Sequence, residues 1–69
     1  MKVADNIRKI RKERGFSQEK IAEVLRTTQQ QYSRYEKGEN ELPVRHVITL
    51  CNFYDISADW LLGLKEKKD

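Results

Sequence analysis

Residues 26–38 read RTTQQQYSRYEKG, a run in which three glutamines are followed closely by an arginine and a lysine. The glutamine amide carries a donor and an acceptor side by side, which lets it meet N7 and N6 of an adenine together, and the arginine fork matches O6 and N7 of a guanine. On a helix, Gln30 and Arg34 are four residues apart and Gln29 stands beside them, so the three would face one groove. Amides placed this way bring no unpaired charge, yet they lose hydrogen bonds when the matching edge is absent, and that loss discriminates. Ordinary solvated helix surface can be built from the same residues, so the triplet alone leaves both readings open.

The surrounding pattern supplies elements able to position these side chains. Val3, Ile7, Ile10 and Arg14 mark one stripe of a first helix from about Ala4 to Arg14. Ser17 is placed to cap a second helix that runs to about Leu25, with Glu19 in its first turn and Ile21, Ala22, Val24 and Leu25 as its apolar set. Small Ala22 would let another helix cross closely. Thr28 with Gln31 three residues on is a capping-box pattern, opening a third helix that ends near Glu36 and closes at Gly38. Tyr32 and Tyr35 share its inner face and read as core rather than as stacking platforms. Pro43 begins a fourth helix whose apolar residues are Val44, Val47, Ile48, Leu50, Cys51 and Tyr54. Ser57 caps a short fifth helix, ADWLL. Gly15, Gly38 and Gly63 each follow a helical pattern, where a left-handed closing residue is needed.

Sixty-nine residues allow one domain, 1–69, with an ordered core over about 3–63 and a charged, frayed tail over 64–69. The expected class is all-α, a compact five-helix domain. Apolar residues are 38% and charged residues 36%, and the net charge of +3 suits a polyanionic partner. With one cysteine, Cys51, there is no disulfide framework, and no apolar run is long enough for a signal peptide or a membrane span, so a cytoplasmic protein is expected. His46 is the sole histidine and reads as surface, which leaves no metal constellation and no catalytic dyad or triad. Glu13, Glu19 and Glu23 are solvated charges, and Cys51 is a small buried hydrophobe.

From about Ile7 to Gly63 the chain resembles the Cro/CI-type helix-turn-helix family, the DNA-binding domains of phage repressors and Cro proteins. The likeness rests on FSQEKIAEVL, on TTQQQYSRYEKG with its closing Glu-x-Gly, and on ISADWLL, in this order and spacing. It implies a lambda-repressor-like DNA-binding fold and a sequence-specific transcriptional regulator, a repressor, that inserts its third helix into the major groove of double-stranded DNA as a homodimer. Neither cofactor, membrane nor small-molecule substrate is implied, and the chain is not expected to be an enzyme.

By this resemblance Gln29, Gln30 and Arg34 read bases. Ser17, Gln18, Thr28, Gln31, Ser33 and Lys37 touch phosphates or cap the helices. Arg11 and Glu36 form an ion pair pinning the third helix, and Ile56, Ser57, Ala58, Trp60 and Leu61 are candidates for the dimer contact, Trp60 being equally a core residue. The chain departs from the family at two turns, where Arg26 and Asp55 replace a usual glycine. It departs again in the loop after the third helix, which is acidic at Glu39 and Glu41 rather than basic; Arg45 could stand in there, and Arg26 could offset its cost by reaching DNA. The acidic loop also favours a rival reading, a protein-interaction module such as an antitoxin on the same scaffold.

Overall fold

The computed structural model describes residues 2–69, and within them five helices and no strand. Helix α1 spans Lys2–Glu13, α2 Gln18–Val24, α3 Gln29–Glu36, α4 Val44–Tyr54 and α5 Ala58–Leu61. α1 starts two residues ahead of the expected Ala4, and its buried face is Ala4, Ile7, Ile10 and Arg11. Val3 is only half-buried and Arg14 is exposed, correcting the stripe read from the sequence. The Arg14 guanidinium lies 5.8 Å over the Tyr54 ring, a cation–π contact made from the exposed surface.

Ile7, Ile10, Ile21, Tyr32, Leu50 and Leu61 are completely buried and tie all five helices into one core. α2 packs directly against α3, and Ala22 is buried in the core they share. Between them the chain turns by a Schellman closure, with Arg26 N–H donating to Glu23 C=O at 3.1 Å and Thr27 N–H to Ala22 C=O at 2.9 Å. That closure requires a left-handed residue, and Arg26 provides it at φ 57°. Asp55, also at φ 57°, does the same after α4. Gly63 meets a second demand besides its φ of 81°: a Cβ there would come within 2.9 Å of Lys2 Cβ, so α5 closes directly against the start of α1. Asn6 secures this end, its Nδ2 donating to Trp60 C=O at 2.9 Å and Leu61 C=O at 3.3 Å.

α4 departs most from the sequence reading. Pro43 stands just before the helix rather than as its first residue. The face turned inward is His46, Val47, Leu50 and Tyr54, with Cys51 half-buried, whereas Val44 and Ile48 are 74% and 56% exposed. His46, expected on the surface, is only 7% exposed, its ring edge-on to Tyr35 with centroids 5.8 Å apart. The last residues also turn back. Lys68 C=O accepts from Ser57 N–H, its ammonium reaches Glu13 at 3.1 Å, and it lies 5.2 Å over the Trp60 ring.

Candidate nucleic-acid interface

Gln29, Gln30 and Arg34 on α3 and Lys37, the residue that closes it, are exposed and open into one concavity, whose wall also includes Ser33 and, from the start of α2, Gln18. This follows from local chemistry. Thr28 Oγ1 accepts from Gln31 N–H at 3.0 Å and fixes where α3 begins, while buried Tyr32 and Tyr35 fix its rotation. With the tyrosines inward, the amides and cations can only face out. Gln31 is half-buried and lines a different groove, so it contributes its backbone N–H to the cap and no side chain to this concavity. Ser17 Oγ caps α2 by accepting from Lys20 N–H at 3.0 Å. The wall includes one acidic residue, Glu39 from the loop after α3.

Behind this surface lies a buried polar network. Arg11 Nε donates to Glu36 Oε2 at 2.6 Å and Nη2 to Oε1 at 3.0 Å, a two-pronged pair linking α1 to the last residue of α3. Arg11 Nη1 donates to Phe16 C=O at 2.9 Å, and Gln18 Nε2 donates to Glu36 Oε1 at 3.0 Å. Gln18, read from the sequence as a phosphate contact, thus uses its amide N–H to brace α3. The second N–H of that amide, together with the backbone N–H groups at the start of α2, remains free to donate toward an anion.

Burial pushes the Glu36 carboxyl up, but hydrogen bonds from Arg11 and Gln18 and the guanidinium charge outweigh it and hold the group below the usual carboxylate range. Arg11 is held above its ordinary value, first by its bond to Glu36. The hydroxyls of Tyr32 and Tyr54 are buried without a hydrogen-bond partner. Tyr32 feels the Glu36 charge without a well-formed bond to it, and burial followed by that charge drives its pKa far up; burial lifts Tyr54 to about 12. Both stay neutral, and each unpaired hydroxyl carries the cost of losing its bonds to water.

A family model described as Helix-turn-helix matches residues 7–61. The chain belongs to the helix-turn-helix family, of the Cro/CI type. Its relatives include three proteins of Bacillus subtilis. The uncharacterised HTH-type transcriptional regulator YqaE is 34% identical over 59 residues, which cover 86% of this chain and 51% of the relative. The SPbeta prophage-derived uncharacterised regulator YonR is 34% identical over 58 residues, 84% of this chain and 54% of the relative. The HTH-type transcriptional regulator ImmR is 29% identical over 66 residues, 96% and 52% of the two chains. A crystal structure of a transcriptional regulator from Listeria innocua matches with a TM-score of 0.86 at 28% identity, covering 94% of this chain and 61% of that one. The chain spans about half the length of the curated relatives it matches.

Within this helix-turn-helix chain the motif is α2, the turn at Arg26 and α3, with the open concavity on the second helix. Of the residues read as a dimer contact, Ile56, Trp60 and Leu61 are buried in the chain's own core. Ser57 is half-buried, and Ala58 is exposed. Cys51 is half-buried and burial raises its thiol pKa, so it stays protonated. Among the described residues no group of His, Cys, Asp and Glu could hold a metal ion, and no helix is long and apolar enough to cross a membrane. Sequence reasoning missed the Gln18–Glu36 bond and the burial of His46; a contact across 18 residues leaves no periodic trace, and a histidine carries no strong inside or outside preference.

Proposed function

We propose that this chain is the DNA-binding part of a transcriptional regulator, a repressor, that reads its operator by inserting α3 into the major groove. The observation that carries the reading is the exposed concavity in which Gln29, Gln30 and Arg34 of the second helix of a helix-turn-helix converge with Lys37 at its end. Gln29 and Gln30 present amides to adenine edges and Arg34 its fork to guanine, while Lys37 and the start of α2 grip phosphates on either side. Two copies bind as a homodimer, because a helix of eight residues reads only a few base pairs and a second half-site doubles the readout. Ser57 and Ala58, with exposed Leu62 just beyond α5, are the residues of the expected contact region still open to a partner. Selection of bound sequences from a random duplex pool tests the whole reading: it should return a short two-fold-related motif with half-sites about one helical turn apart. Recovery of no motif refutes it.

Glu39 in the same concavity favours a second reading, a protein-interaction module such as an antitoxin in which DNA contact is secondary. A salt titration separates the two, since a DNA reader loses affinity steeply as salt rises.

A further inference from the structure

A second groove runs between the Arg26 turn and the beginning of α4, on the flank of α3 that carries Gln31 and Tyr35 rather than Gln29 and Ser33. Its polar wall is Arg26, Thr27, Gln31, Arg45, His46 and Thr49, and no acidic residue lines it, in contrast to the concavity that includes Glu39. Arg26 and Arg45 are exposed and take part in no ion pair among the described residues. His46 faces the groove although more than nine-tenths buried, and no hydrogen bond within the described residues engages its ring. Arg26 holds the left-handed conformation that α1, α3 and α5 each give to a glycine. Unlike aspartate at position 55, arginine has no short side chain to ease that conformation. A strained residue whose side chain supplies half the charge of a cationic groove points to a role for that side chain.

We propose that this groove is a phosphate-binding site, in which Arg26 and Arg45 together grip one phosphodiester of the DNA backbone beside the bases that α3 reads, with Thr27, Gln31 and His46 as neutral donors. The proposal rests on the reading of α3 as the DNA-reading helix. It places a second backbone clamp across α3 from Lys37, and it makes up for the acidic loop at Glu39 and Glu41, which repels phosphate.

The test measures duplex affinity against salt for the parent, for Arg26→Gly, for Arg45→Gln and for the double variant, on the selected operator and on random duplex. Arg26→Gly relieves backbone strain and Arg45 is exposed, so loss of fold does not confuse the result. The double variant should bind both duplexes about tenfold or more weakly, with the slope of log affinity against log salt shallower by about 1. A scan with neutral methylphosphonate linkages should find one position per half-site that weakens the parent but not the double variant. Parent-like affinity and slope in the double variant, or equal response of both proteins at every linkage, overturns the clamp. The outcome is distinct from failure of the α3 reading: in that case the parent itself shows no sequence preference and Gln30→Ala changes nothing.

Discussion

Replacing Arg11 by methionine removes three hydrogen bonds at once: the two to Glu36, at 2.6 and 3.0 Å, and the one to Phe16 C=O at 2.9 Å. It also leaves a carboxylate whose side chain is only 3% exposed with Gln18 as its sole remaining partner. Methionine fills most of the volume, so packing changes little and the cost is electrostatic. Breaking a buried pair from one side costs about 3–5 kcal/mol, because the surviving charge is uncompensated. At roughly 0.05–0.15 kcal/mol per residue, a domain of this size holds on the order of 3–10 kcal/mol, so the single substitution removes a third or more of the total. Replacing Glu36 by leucine in the same background removes the stranded charge, and the double variant should recover to within about 1–2 kcal/mol of the parent, since apolar replacements of buried pairs are often close to neutral. Urea unfolding followed by far-UV circular dichroism on the four proteins of this cycle gives the coupling directly. If both single variants cost less than about 1 kcal/mol and their effects simply add, the pair behaves as solvated surface and the reasoning fails. The same cycle bears on function, because Glu36 ends α3 and the pair holds that helix against α1.

Four further outcomes follow from the geometry. Gln29→Ala or Gln30→Ala should weaken operator binding by roughly 1–3 kcal/mol and relax preference at one base position, whereas Lys37→Ala should weaken all duplexes alike and flatten the salt slope by about 1; competition binding against a panel of single-base operator variants separates them. Arg26→Gly should stabilise the fold by about 1 kcal/mol by relieving the left-handed arginine, and calorimetry should show a melting temperature higher by roughly 4–8 °C. The depressed Glu36 pKa contributes stability that is whole above the unfolded value of 4.5 and is lost as pH falls below it through the folded value; melts between pH 7 and 3 should show this loss in the parent and lack it in Glu36→Gln. Ile48→Ser should change stability by no more than about 0.5 kcal/mol, while Leu50→Ala should cost about 2–5, a contrast that equilibrium unfolding resolves at once.

The helix boundaries were open to reading because they are written in local chemistry. Ser17, Thr28 and Ser57 each accept from a backbone N–H two or three residues on, and Gly15, Gly38 and Gly63 each take a positive φ. The left-handed turn at Arg26 was reachable only by likeness to a family with glycine there, since nothing in an arginine announces it, whereas aspartate at position 55 is a residue type that tolerates the conformation. The same holds for Arg11 and Glu36, whose partnership across 25 residues has no periodic signature. What stayed hidden depends on three-dimensional choices: Gln18 bracing Glu36, Lys68 returning to Trp60 and Glu13, and the inward turn of His46.

α4 shows why such choices escape periodicity. Two stripes at helical spacing compete along it. One passes through Val44, Ile48 and Cys51, and the other through His46, Val47, Leu50 and Tyr54. The first is the more apolar at its beginning, and a reading by hydrophobicity merges the two. Core geometry selects the second, whose Val47, Leu50 and Tyr54 join the buried cluster, and this sets the His46 imidazole edge-on to the Tyr35 ring of α3. Once His46 is inside, Val44 and Ile48 must point outward whatever their hydrophobicity. The rotation of α4 also carries Arg45 to the groove shared with Arg26. Burial of His46 and the gathering of cations beside α3 are therefore consequences of one packing decision, and a substitution that turned α4 back, such as His46→Asp, should disturb both together.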